Sequence, residues 1–114
     1  MELWFNEYHS ADMKFSFRVR RQLFSEYSNF QHIQVLDSYE FGRVLVMDGF
    51  IMLTEKDEFM YHEMVTHVPM AVHPSAKRVL VIGGGDGGTL RELCRYPELS
   101  EIVLVEIDPV VVEV

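Results

Sequence analysis

The fold of this chain is decided by one stretch, Arg78-Val79-Leu80-Val81-Ile82-Gly83-Gly84-Gly85-Asp86-Gly87-Gly88. Its first five residues form a nearly continuous apolar run, which predicts a strand buried on both faces of a parallel sheet. The glycines that follow satisfy the spacing G-x-G-x-x-G, and a short helix is predicted from about Thr89 to Arg95. In this strand–loop–helix context the spacing favours a nucleotide-type ligand, because glycines let the backbone turn sharply and approach a ligand closely. A tight turn without a ligand is the alternative.

A second strand and a second helix start follow the glycine loop. The run Glu101-Ile102-Val103-Leu104-Val105-Glu106 is again mostly apolar. Asp108 and Pro109 are typical of the N-cap and the first position of a helix. The last third of the chain is therefore predicted to be a βαβ unit.

A helix is predicted upstream of the glycine loop. Thr54 and Asp57 have the spacing of a capping box, and Pro69 is expected to kink or end the helix. Five residues at helical spacing predict one buried apolar stripe: Tyr61, Met64, Val65, Val68 and Val72.

Residues 1–53 are predicted to form a small antiparallel β domain. Lys14–Arg20 alternates apolar and polar residues, and Asp48-Gly49 is typical of a hairpin turn. A sheet of this size has unpaired edges, so we expect it to pack on another surface, including a second copy of itself. The predicted boundary separates this domain, 1–53, from residues 54–114.

Composition excludes several classes of protein. The 114 residues carry 10 Lys and Arg against 18 Asp and Glu, a net charge of −8. Such an acidic chain is unlike a nucleic-acid binder, which needs a basic face. The single cysteine allows no internal disulfide, and no apolar run approaches the ~20 residues of a membrane span. We therefore expect a cytoplasmic protein with no nucleic-acid or membrane partner.

Two carboxylates near the glycine loop indicate the kind of nucleoside. Asp86 would repel a pyrophosphate and suits a nucleoside with a sulfonium or an amine; a loop-capping role is its alternative. Glu106 ends the second strand, where an acid accepts from ribose hydroxyls. A solvated acid at a strand end is the alternative for Glu106.

The histidines of the predicted helix do not form a metal site. His62 and His67 are five residues apart, whereas His-Glu-x-x-His places its histidines four apart on one face. No metal is predicted. A core aromatic and a hydrogen-bonded core histidine are the plain interpretations of Tyr61 and His62.

Taken together, several stretches resemble the ordered signatures of bacterial spermidine synthases. They are Asp48-Gly49, Thr54-Glu55-Lys56-Asp57-Glu58-Phe59, Tyr61-His62-Glu63-Met64, Gly83-Gly84-Gly85-Asp86-Gly87 and Val105-Glu106-Ile107-Asp108. The resemblance implies an α/β fold, in which a small N-terminal antiparallel β domain precedes the start of a Rossmann-like, methyltransferase-type parallel-sheet domain. It also implies aminopropyl transfer from decarboxylated S-adenosylmethionine to putrescine, giving spermidine and methylthioadenosine, without a prosthetic group. A homo-oligomer, dimer or tetramer, is implied as well.

The resemblance assigns roles to particular residues. It implies that the nucleoside is bound by Gln31, Gly83, Gly85, Asp86, Glu106 and Ile107. It implies that the polyamine is bound by Tyr61, His62 and Asp86, with Asp86 holding the amine of the aminopropyl group. Met52 departs from the glutamine that many members carry facing the substrate.

The family's catalytic aspartate has no counterpart among these residues. The resemblance implies that this proton acceptor lies beyond residue 114, so we expect the chain to be part of a longer enzyme and inactive alone. Two other functions stay open at this point. One is an S-adenosylmethionine-dependent methyltransferase, whose donor carboxylate Asp86 would repel. The other is a non-catalytic oligomerisation fragment.

Overall fold

A computed structural model describes residues 1–114, and their contacts divide the chain into two units, Met1–Asp57 and Glu58–Val114. The first unit is an antiparallel sheet and the second combines helices with a pair of parallel strands. This is the predicted α/β organisation. None of the helices combines the length and apolar character needed to cross a bilayer.

The first unit is a five-stranded meander in which each strand pairs with the next along the chain. Its strands are β1 Leu3–Ser10, β2 Met13–Tyr27, β3 His32–Ser38, β4 Gly42–Met47 and β5 Phe50–Thr54. Its core contains Phe17, Val19, Leu36, Val44 and Val46. The predicted hairpin is confirmed: Asp48 and Gly49 connect β4 to β5 with φ angles of 51° and 81°.

Two features of this sheet lie outside the predicted pattern. β1 was not predicted, and β2 continues well past Arg20. The register of β2 against β3 shifts between Val19 and Arg21 and again between Gln22 and Phe24. Because each bulge inserts an unpaired residue, the alternation of apolar and polar residues breaks there although the strand continues.

The second unit begins with a helix and continues as a βαβ unit. Its elements are α1 Glu58–Val72, β6 Arg78–Ile82, α2 Gly88–Leu93, β7 Glu101–Val105 and α3 Pro109–Glu113. β6 and β7 pair in parallel, with Arg78 opposite Glu101 and Ile82 opposite Val105. Asp108 is the predicted N-cap of α3, and its side chain accepts from the Val110 N–H.

The predicted apolar stripe of α1 is wrong. Its five side chains are exposed, and the buried residues of the helix are His62, Thr66 and Met70. The helix also continues through Pro69 to Val72. His62 is buried because its ring nitrogens find carboxylate partners, as described below, and apolar periodicity does not detect such partners.

The prediction that β6 is buried on both faces is wrong as well. Val79 and Val81 are half-buried, whereas Leu80 and Ile82 are 59% and 83% exposed. An apolar run along a parallel strand becomes buried on both faces only where a layer covers each face. Here one face of the β6–β7 pair stays open.

Candidate functional site

The glycine loop connects β6 to α2 with the geometry that its sequence predicts. Gly83, Gly84 and Gly87 have φ angles of 81°, 72° and 84°, which favour glycine. The Gly83 N–H donates to the Val105 carbonyl at 2.7 Å, which ties the loop to the end of β7. The ends of both parallel strands therefore meet at the loop.

Glu106 holds this loop through backbone hydrogen bonds. Its Oε2 accepts from the Gly85 N–H at 3.0 Å, and its Oε1 accepts from the Asp108 N–H at 3.1 Å. A Cβ on Gly85 would lie 2.7 Å from the Glu106 Cγ, so any larger residue there would displace the Glu106 side chain. Our sequence interpretation missed this backbone role, which joins residues 21 positions apart. Each carboxylate oxygen still has a second lone pair for a ligand hydroxyl.

Asp86 lies in the glycine loop, two residues before α2 begins, and the residue as a whole is exposed. Its Oδ1 accepts from the Gly88 N–H at 2.9 Å and lies 3.1 Å from the Nε2 of His62. Its side chain is 24% exposed, so it remains accessible from the loop. Asp86 therefore caps the loop and also keeps a carboxylate open to a ligand.

His62 is buried between two carboxylates. Its Nδ1 lies 2.5 Å from the Glu58 Oε2, and its Nε2 faces Asp86. The predicted hydrogen-bonded core histidine is thus present. The core-aromatic interpretation of Tyr61 is wrong, because this residue is 66% exposed. Its ring lies edge-on to the His62 ring, with the ring centroids 5.2 Å apart.

Glu58 and Arg91 form an ion pair that the sequence interpretation missed. The Arg91 Nη1 and Nη2 donate to the two Glu58 carboxylate oxygens at 2.7 and 3.1 Å. These bonds, aided by His62, hold the pKa of Glu58 below its ordinary value against the opposing effect of burial. The i,i+4 spacing of Glu58 and His62 was visible in the sequence, whereas Arg91 is 33 residues away.

A cleft of about 440 Å³ opens beside this cluster. Part of its lining is apolar and comes from α1 and β6. Its polar lining comes from Tyr61, His62, Thr66, Asp86 and Thr89. The structure therefore brings together the three residues that the sequence interpretation assigned to the polyamine side.

The other predicted residues lie elsewhere. Glu106 is half-buried below the loop, and Ile107 is 72% exposed after β7. Gln31 belongs to the first unit, where it is half-buried and its carbonyl accepts from the Ser28 N–H at 2.9 Å. Met52 is 50% exposed on β5. No group of three or more His, Cys, Asp or Glu side chains is arranged to hold a metal ion.

Comparisons with known proteins cover the whole chain. A model of the spermidine synthase tetramerisation domain matches residues 3–55, and a model of the spermine/spermidine synthase domain matches residues 58–114. A polyamine aminopropyltransferase of Lachnoclostridium phytofermentans is 56% identical over 114 residues, which are 100% of this chain and 40% of that protein. One of Clostridium botulinum (strain Alaska E43 / Type E3) is 59% identical over 113 residues, 99% of this chain and 40% of that protein.

Solved structures of spermidine synthases are similar to this chain in fold. A crystal structure of spermidine synthase from Thermotoga maritima has a TM-score of 0.93 at 45% identity, over 97% of this chain and 39% of that chain. A spermidine synthase in complex with the transition state analogue AdoDATO also has a TM-score of 0.93 at 45% identity, over 97% of this chain and 38% of that one. The chain thus spans about 40% of the length of the curated relatives it matches.

Proposed function

This chain belongs to the spermine/spermidine synthase family, and from that premise we propose that the protein carrying it is a polyamine aminopropyltransferase. It transfers the aminopropyl group of decarboxylated S-adenosylmethionine to a putrescine-like diamine, and spermidine and methylthioadenosine leave. The observation that carries the proposal is a partly exposed carboxylate, Asp86, in a glycine loop beside a cleft. A carboxylate there suits a donor with an amine rather than one with a pyrophosphate.

The glycine loop and the end of β7 hold the nucleoside. Gly83 and Gly85 allow the backbone to approach the ligand, and Glu106 accepts from the ribose hydroxyls with the lone pairs that its backbone bonds leave open. Ile107 is exposed beside Glu106 and packs along the adenine. By family resemblance we also assign Gln31 to nucleoside binding.

The cleft holds the aminopropyl chain and the polyamine. Asp86 attracts the donor ammonium, and His62 and Tyr61 line the same cleft. Decarboxylated S-adenosylmethionine is a co-substrate here, and the reaction needs no prosthetic group.

The chemical step is a displacement at the carbon next to sulfur. A neutral amine of the diamine attacks this carbon, a C–N bond forms, and the C–S bond breaks with its electron pair going to sulfur. The sulfonium becomes the neutral thioether of methylthioadenosine. The attacking nitrogen then loses a proton to a base, which family resemblance places outside this chain. Asp86 orients the donor and is not that base.

The first unit serves oligomerisation. Its sheet matches the tetramerisation-domain model over residues 3–55, and β1 and β2 carry exposed Leu3, Trp4 and Phe15 side chains. Exposed large apolar residues on a sheet with an open edge favour association. We assign this role to the β domain of residues 1–53 and expect a homodimer or homotetramer, with residues 54–114 starting the nucleoside-binding domain.

Donor selectivity tests the proposal and separates it from methyl transfer. Intact S-adenosylmethionine adds a carboxylate beside its ammonium, and Asp86 repels that carboxylate. We expect the full-length protein to bind the decarboxylated donor more tightly than the intact donor in competition binding at fixed salt. Asp86→Asn should remove most of this preference, because it removes both the attraction and the repulsion.

A matched acid-to-amide change gives the control. Glu63→Gln alters an exposed acid of α1 and should leave the preference unchanged. If the wild type binds both donors equally, or the intact donor better, the aminopropyltransferase assignment fails and methyl transfer takes its place.

A further inference from the structure

We propose that Glu58 is a positioning residue for the Asp86 carboxylate. Glu58 orients His62, and His62 in turn orients Asp86. Arg91 holds Glu58 in place. This inference rests on the proposed function, since it concerns the carboxylate that receives the donor ammonium. Neither Glu58 nor Arg91 lines the cleft. Both therefore act without touching the substrate.

The His62 ring is held at both of its nitrogens. The Glu58 Oε2 lies 2.5 Å from Nδ1, and the Asp86 Oδ1 lies 3.1 Å from Nε2. The His62 side chain is 3% exposed, so water does not compete for either nitrogen. With both nitrogens engaged, the ring has one orientation, and that orientation presents Nε2 to Asp86.

This contact decides which oxygen of Asp86 a ligand meets. Oδ1 is occupied by the His62 Nε2 and the Gly88 N–H. Oδ2 makes no hydrogen bond within the chain and belongs to a side chain that is one quarter exposed. His62 thus fixes the carboxylate by one oxygen and leaves the other for an ammonium group.

Arg91 holds Glu58, which is the residue of this set farthest from Asp86. Its guanidinium binds Glu58 through two parallel hydrogen bonds, a geometry that orients a carboxylate more strictly than a single bond does. The lowered pKa of Glu58 keeps the carboxylate ionised beside Nδ1. The orientation of Asp86 is therefore set by residues on both α1 and α2.

Affinities for two nucleosides test the inference in the full-length protein. Methylthioadenosine lacks the aminopropyl group, so only the decarboxylated donor reports on Asp86. Glu58→Ala should weaken binding of the decarboxylated donor about tenfold and leave the methylthioadenosine Kd within about twofold, both by titration calorimetry. Glu58→Gln should give a smaller loss, because its carbonyl still accepts from Nδ1. Glu63→Ala, on the same helix and outside the cluster, should change neither affinity.

The nitrogen resonances of His62 give a second readout, which does not depend on catalysis. In ¹⁵N-histidine spectra, Glu58→Ala and Glu58→Gln should each move the Nδ1 resonance of His62, and Glu63→Ala should not. If the wild type fails to bind the decarboxylated donor, the proposed function fails. The spectra would still show whether Glu58 contacts and orients the His62 ring.

Two results would overturn the inference. One is an unchanged affinity for the decarboxylated donor in Glu58→Ala, or in Glu58→Gln should the alanine variant not fold. The other is an equal loss for both nucleosides, which would make the Glu58–Arg91 pair a brace between helices and nothing more.

Discussion

Gly88→Ala should drive the His62 ring out of its place. A Cβ on Gly88 would lie 2.2 Å from the ring Cε1, 2.3 Å from Nδ1 and 2.4 Å from Nε2. The φ of Gly88 is not positive, so its backbone accepts alanine without strain. The destabilising part of the effect therefore comes from the contact with His62.

The magnitude follows from how tightly the ring is held. Carbon atoms in good contact are about 3.5 Å apart, so the ring must retreat by more than about 1 Å. Its side chain is buried, and the retreat breaks the contact with Asp86. Overpacking costs about 1–3 kcal/mol and a lost hydrogen bond to a charged group about 1.5 kcal/mol, while alanine regains at most about 1 kcal/mol of helix propensity. We expect a net loss of about 2 kcal/mol in the free energy of unfolding.

A double-mutant cycle isolates this contact. Urea unfolding of the full-length wild type, Gly88→Ala, His62→Ala and the double variant should give a coupling energy of about 2–3 kcal/mol, because alanine at 62 leaves nothing to clash and only the gain in helix propensity remains. Gly87→Ala is the control: its φ is 84° and a Cβ there meets nothing within 4 Å, so its cost is backbone strain that His62→Ala does not relieve. Additive effects of Gly88→Ala and His62→Ala would refute the reasoning.

Two further predictions concern Glu106 and Glu92. Glu106→Gln should weaken methylthioadenosine binding in calorimetry by about 1–2 kcal/mol, because a charged acceptor for the ribose hydroxyls becomes neutral; an unchanged Kd would leave Glu106 with its loop-holding role alone. Glu92 has its pKa lowered from 4.5 to about 2, first by the hydrogen bond from His67 and then by those from Arg91 and Arg95. A lowered folded-state pKa stabilises the fold above the unfolded-state value, so this stabilisation should disappear as the pH falls from 4.5 to about 2. Glu92→Gln should flatten the fall of the thermal midpoint in that range, and parallel profiles for wild type and variant would contradict the assignment.

The features that could be predicted from the sequence are local ones. The Asp48-Gly49 hairpin, the glycine loop after β6 and the N-cap at Asp108 are all present in the structure. Each depends on the backbone preferences of a few adjacent residues, which hold wherever the segment lies. The antiparallel sheet of the first unit was predicted from the alternation of apolar and polar residues. The parallel strands of the second unit were predicted from their apolar runs.

The sequence by itself therefore determined the Asp48-Gly49 hairpin, the glycine loop, the N-cap of α3 and most of the strands. Only the tertiary structure decided which face of α1 is buried. The apolar spacing predicted that the face with Tyr61 is buried, whereas the helix buries the face with His62. The reason is that carboxylates compensate the burial of a histidine, and one of them, Asp86, comes from a loop 24 positions along the chain. The backbone role of Glu106 and the clamp of Arg91 on Glu58 likewise depend on residues brought together only by folding.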